Sequence, residues 1–238
     1  MPARSGEKRY DSIGVAYAHW RAAQFYRGDY RSIVDRIPEP CRLAADVGCG
    51  SGPMTAVLAE HSRRVVGLDP SWTMLLLARE HLARRGTANA WLVRGDAECL
   101  PVREGCTDFA VVLNALHHTD ARRTLAELRR VLAPEGRLAL RALVVARFRR
   151  PTRWLPVRLA WAVLRVLDAA RRHGPRVGLA SARFFLGLAW LPSTGRKPSP
   201  AELAAQCEEA FPGCRIGAPR GGQVTVLWPA PEGPAAEP

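Results

Sequence analysis

From Cys41 to about residue 145, short apolar runs alternate with amphipathic helical stretches, and this alternation constrains the fold more than any other feature. "CRLAADV", "RRVVGLD", "AWLVRGD", "TDFAVVLNAL" and "GRLALRALVV" read as strands. Between them, "MTAVLAEH", "SWTMLLLAREHLARR" and "DARRTLAELRRVLA" read as helices, the second opened by Ser71 as N-cap and the third stopped by Pro134. Strands that alternate with helices form a parallel sheet covered on both faces. The last part of the chain changes pattern. "SPAELAAQCEEAF" carries Ser199 as N-cap, Pro200 at the first helical position and Glu202 at the third, a clear helix start. "CRIGA" and "QVTVLW", separated by "PRGG", suit an antiparallel pair at the sheet's edge. The expected fold is therefore α/β, doubly wound, with a mostly parallel seven-stranded sheet and an antiparallel edge.

Around this core (41–145), the expected organisation is an N-terminal helical cap (1–40) and a helical insertion acting as a lid (146–197). A C-terminal helix with edge strands (198–229) and a disordered tail (230–238) complete it. With 238 residues, 47% of them hydrophobic, the chain suits one elaborated domain. It contains no run of about 18 uncharged apolar residues and no secretory pattern at its start, which points to the cytoplasm. The six cysteines (Cys41, Cys49, Cys99, Cys106, Cys207, Cys214) form no C-x-x-C and no ligand spacing with His, so free thiols and no metal are expected. The formal net charge of +13 would attract nucleic acid, anionic lipid or an acidic carrier protein, and does not choose among them.

The turn "ADVGCGSGP" joins the first strand to the first helix. A glycine-rich turn there brings bare backbone and a helix N-terminus against a ligand. The dinucleotide fingerprint G-x-G-x-x-G fits Gly48 and Gly50 but meets Pro53 at its third position; the glycines run Gly48, Gly50, Gly52 instead. Acids surround the turn: Asp46 two residues before it, Asp69 at the end of the second strand and Asp96 at the end of the third. A pyrophosphate dianion is disfavoured beside them. A ligand bearing an ammonium, a sulfonium and a ribose suits them far better.

As an ordered set, "DVGCGSG", "VVGLDPS", "RGDAECLPV", "DFAVVLNALHH" and "LAELRRVLAPEGRLAL" resemble the Rossmann-like class I S-adenosylmethionine-dependent methyltransferases. The resemblance is to the small-molecule branch that includes the ubiquinone and menaquinone enzymes. It implies S-adenosylmethionine as cofactor and S-adenosylhomocysteine as product. It also implies residue roles. Gly48, Gly50 and Gly52 would let the backbone approach the cofactor's amino-acid part, with Asp46 and Cys49 beside them. Asp69 would hold the ribose hydroxyls, with Pro70 and Met74 following it. Asp96 would accept from the adenine amino group, flanked by Ala97 and Glu98. Asn114 and Leu116 would line the methyl donor. In "YDSIGVAYAHWR", Tyr17 would cover the cofactor and Arg21 would reach its carboxylate.

Methyl transfer needs a base only where the acceptor must lose a proton. His117 and His118, just past the fourth strand, are the candidates, because an imidazole titrates near neutrality. The insertion should shape the acceptor site. Arg158, Arg165 and Arg172 recur every seven residues and share one helix face, and Trp154 and Trp161 are likewise seven apart. Three readings compete for it: a lid packed on the crevice, a membrane-surface contact, and a dock for an acidic carrier protein. For the whole protein the leading expectation is O-methylation of a small molecule in specialised biosynthesis. C-methylation of a quinone or lipid-like acceptor is the near alternative. A nucleic-acid methyltransferase is disfavoured because "NALH" stands where the amino-directed base enzymes carry an N-P-P-Y type motif. A non-catalytic binder of the cofactor is the remaining alternative.

Overall fold

The structure is a computed structural model that describes residues 30–144, 198–219 and 222–229, with scattered helical positions between 160 and 182. A short helix α1 (Arg31–Val34) leads into β1 (Ala44–Val47), α2 (Pro53–His61), β2 (Val65–Asp69), α3 (Trp72–Arg84) and β3 (Ala90–Arg94). There follow β4 (Thr107–Leu113), a 3-10 turn (Leu116–His118), α4 (Ala121–Val131), β5 (Leu132–Leu143), α5 (Pro200–Ala210), β6 (Arg215–Ile216) and β7 (Gln223–Trp228). The seven strands form one sheet in the order β3-β2-β1-β4-β5-β7-β6. Strands β1 to β5 are parallel, whereas β7 runs antiparallel to β5 and β6 antiparallel to β7. The expected doubly wound sheet with an antiparallel edge is what the chain forms.

Why the central strands are apolar throughout follows from the two cores. Successive strand residues point to opposite faces. On one face, Ala45, Val47, Ala110, Val112, Leu138 and Leu140 meet Leu125 and Leu128 of α4 and Leu203, Cys207 and Phe211 at α5. On the other, Ala44, Phe109, Val111, Leu113 and Ala139 meet Ile33 of α1 and Met54 and Leu58 of α2. A strand that feeds both cores has no polar face to spare, and β1 is buried at every position.

The helix starts follow their local chemistry. Ser71 Oγ accepts from the Met74 N–H, Asp120 from the Arg123 N–H, and Ser199 with Glu202 closes a full capping box. Two boundaries depart from the sequence reading. The third core helix ends at Val131 rather than at Pro134, because Leu132 already turns extended and pairs with Thr107. The register then shifts before Arg137 pairs with Phe109. Gly136 sits in that irregular stretch, where a Cβ would lie 2.7 Å from the Thr107 carbonyl oxygen. The fourth strand stops at Leu113 rather than running to Leu116, because Asn114 adopts φ 54° and throws the chain into the 3-10 turn. Strands β1 and β6 are also shorter than expected. Among the described residues no helix is long and apolar enough to cross a membrane. The expected helices of the first 29 residues and the disordered tail lie outside the described residues, as does most of the 146–197 lid.

Candidate active site

In an open parallel sheet, ligands sit beyond the carboxyl ends of the strands where the strand order reverses. Here the reversal falls at β1, which has β2 on one side and β4 on the other. The glycine turn leaves β1 at this point. Gly48, Gly50 and Gly52 all have positive φ (75°, 55° and 82°), a backbone that favours glycine at each. Their surroundings differ. A Cβ on Gly48 would stand 2.4 Å from Ala115 Cβ, and one on Gly52 would stand 3.1 Å from Ala78 Cβ. A Cβ on Gly50 would meet nothing within 4 Å. Gly48 and Gly52 therefore seal the turn against the β4 exit and α3, while Gly50 faces an open cradle. Pro53 fits the first position of α2, where its missing N–H costs nothing.

The turn spends its donors inside the protein. Gly48 and Cys49 N–H both donate to the Leu68 carbonyl, Gly52 N–H donates to the Cys49 carbonyl, and Gly50 N–H donates to Asp69 Oδ2 at 2.9 Å. A phosphate nest needs such N–H groups turned toward the anion. This turn presents carboxylate instead. Asp69 Oδ1 accepts from Ser71 N–H at 2.9 Å, so backbone donors on two sides fix the carboxylate's plane at the rim of the cradle. Asp46 is fully buried and accepts from Thr55 Oγ1 at 2.6 Å, tying β1 to α2. Cys49 lies beside both acids. Burial first, then the Asp46 and Asp69 charges, push its thiol well above the ordinary range, so it stays protonated.

The expected contact residues separate into groups. Asp96 is half-buried past the end of β3, where its Oδ1 accepts from the Glu98 N–H in an Asx turn that includes Ala97. The Glu98 carboxylate locks this loop to the start of α4: Oε1 accepts from Asp120 N–H and Oε2 pairs with Arg123. Met74 is fully buried, and Leu116 is part of the core beneath the 3-10 turn, so both are placed as packing residues. Pro70 is exposed, with its carbonyl accepting from Arg94 Nε. His117 is buried and His118 exposed, their rings 3.9 Å apart, at the mouth of the crevice past β4. Tyr17 and Arg21 lie outside the described residues. Asn114 is the one non-glycine residue with positive φ among those described. Its N–H donates to the Arg141 carbonyl and its Oδ1 accepts from Gln223 Nε2 at 3.0 Å. Gln223 was not among the sequence candidates. It opens β7, 109 positions from Asn114, and no local pattern announces the pairing.

Residues 45–140 match a family described as a methyltransferase domain. The demethylmenaquinone methyltransferase of Shouchella clausii is 35% identical over 99 residues, 40% of this chain and 42% of that protein. Over residues 45–140 the core of this chain is thus similar to the methyltransferase-domain family. That likeness implies S-adenosylmethionine as cofactor, and a carboxylate-rimmed cradle with internally satisfied N–H groups fits that cation. The malonyl-[acyl-carrier protein] O-methyltransferase of Pectobacterium atrosepticum is 32% identical over 146 residues, 57% of this chain and 55% of that protein. Its curated relatives are matched over 34% to 55% of their lengths. The solved YcgJ protein of Bacillus subtilis shares the methyltransferase fold, with a TM-score of 0.54 at 21% identity over 78% of this chain and 67% of that one.

Proposed function

We propose that the protein transfers the methyl group of S-adenosylmethionine to an oxygen of a small-molecule acceptor in specialised biosynthesis, with His117 as the base. The observation that carries the reading is the Gly50 cradle beside a carboxylate pinned from two sides. In this reading Asp69 accepts from the ribose hydroxyls and Asp96 from the adenine amino group. The glycine turn, with Asp46 behind it, receives the amino-acid part, and Asn114 borders the methyl donor. When bound, the cofactor supplies a methyl group activated on a sulfonium.

The chain's own contribution is positioning. Holding donor and acceptor in near-attack geometry removes most of the entropic barrier. His117, held at the crevice mouth by the 3-10 turn, takes the proton of the acceptor hydroxyl; His118 beside it is exposed and exchanges that proton with solvent. The O-methyltransferase relative favours oxygen as the methylated atom. The quinone-type relative favours the alternative, C-methylation of a quinone or lipid-like acceptor.

The test is methyl transfer from labelled S-adenosylmethionine to a panel of phenols and carboxylic acids. His117→Ala should lower turnover about a hundredfold, the range of one general base, at unchanged cofactor affinity. Undiminished turnover would remove His117 from the reaction.

A further inference from the structure

The chain's charge is concentrated in one segment. Residues 146–197 contain twelve Lys and Arg against a single acid, Asp168, a balance of +11 in a chain whose formal net charge is +13. The methyltransferase core and the remaining segments are thus nearly neutral. The same segment carries three of the seven tryptophans, Trp154, Trp161 and Trp190.

Its described helical positions sort into two faces. Ala160, Val163, Leu164, Leu167 and Arg171, spaced by three or four (with Val163 and Leu164 adjacent), are exposed, whereas Val166 and Ala170 are half-buried. Val163, Leu164 and Leu167 are 56%, 62% and 49% exposed. They are three of the five large apolar side chains left exposed among the described residues, the others being Trp72 and Trp91. A contiguous apolar stripe turned to water is a sign of an interaction surface. Here Val163, Leu164 and Leu167 are turned to solvent.

From this combination we infer that the 146–197 segment docks the protein on an anionic lipid surface. Leu164 and Leu167 enter the headgroup–acyl boundary, with the exposed Arg171 beside lipid phosphates. An aliphatic stripe, dense cationic charge and several tryptophans are the composition of helices that lie in a membrane interface. Both components are required, since the apolar contact supplies depth and the charge supplies selection for anionic lipid. An acidic carrier protein presents one limited acidic face. It does not match an excess of eleven charges, and it leaves the aliphatic stripe without a role. A protein so placed would meet acceptors dissolved in the lipid; that consequence alone rests on the methyl-transfer reading.

The experiment is co-sedimentation of the full chain with phosphatidylcholine vesicles, with and without phosphatidylglycerol. Binding requires no turnover, so its outcome is independent of the reaction. The expected result is sedimentation with the anionic vesicles only, released by raising salt. Leu164→Glu with Leu167→Glu should weaken it by more than about tenfold. Arg171→Glu should weaken it about fivefold. Circular dichroism checks that the variants are folded; if the double variant is not, Arg171→Glu and the salt titration decide. No sedimentation, equal sedimentation with neutral vesicles, or indifference to these substitutions overturns the inference. So does capture by an acyl carrier protein in place of the vesicles, which would assign the surface to a protein partner.

Discussion

The two sides of the crevice are built differently. On the β1–β2 side, the side-chain hydrogen bonds that shape the cradle are short in sequence. Gly50 N–H reaches Asp69 across 19 positions, Asp69 accepts from Ser71 two positions on, and Thr55 reaches Asp46 across nine. On the β4–β5 side, Asn114 is held by Gln223 across 109 positions, and Arg141 Nε donates to Thr225 across 84. In the proposed reading the β1–β2 side, built of local contacts, holds the methyl donor. The β4–β5 side, assembled by contacts distant in sequence, would border the acceptor, so that specificity could change there with little effect on cofactor binding.

The two sides meet at Gly48, whose substitution should have the largest effect. Gly48→Ala places a methyl group 2.4 Å from Ala115 Cβ on a backbone with φ 75°. Left-handed strain and overpacking together should cost on the order of 3 kcal/mol in urea unfolding. Cofactor binding and turnover should fall together; loss of one alone would show that the two sides are not joined at this turn. Gln223→Ala should act on one side only. Releasing Asn114 should lower methyl transfer about tenfold through lost positioning, at unchanged S-adenosylmethionine affinity. Its stability cost, one hydrogen bond, should be near 1 kcal/mol. A parallel loss of cofactor affinity would break the comparison.

The smallest effect concerns how the Asp96 loop is held. Arg130 bridges Glu127 with two hydrogen bonds and also donates to the Leu100 and Val102 carbonyls, while Leu100 N–H donates to Glu127. The Arg130 hydrogen bonds, aided by that Leu100 N–H, hold the Glu127 carboxyl below its ordinary value of 4.5. A lowered folded value means the stabilisation is complete above the ordinary value and is lost as pH falls through the folded one. Stability should thus fall more steeply on acidification in the parent than in Glu127→Gln. For this half-buried, solvent-screened pair the difference should be about 1 kcal/mol. Identical acid profiles would show that this pair does not hold the loop.

How much could be read beforehand follows the same division. The helix starts at Ser71 and Ser199 were legible because capping is decided within four residues. The glycine turn and its acids were legible because they occupy fixed offsets from strand ends. The end of the fourth strand was not, since it depends on Asn114 taking a left-handed backbone that Gln223 secures from a distant strand. The end of α4 was misplaced because Leu132 is drawn into the sheet by Thr107, a pairing that helical periodicity cannot register. The contacts of the Glu98 carboxylate with Asp120 and Arg123, and the burial of Met74 and Leu116, depend on the packed core, which motif offsets do not register.

The central claim is that the Gly50–Asp69 corner holds S-adenosylmethionine, and titration calorimetry tests it most directly. The account predicts micromolar binding, of the order common for enzyme ligands. Asp69→Ala should weaken it about a hundredfold, since it removes charge-assisted hydrogen bonds to the ligand and the anchor of the Gly50 N–H. No binding by the parent chain, or equal binding by Asp69→Ala, would contradict the account.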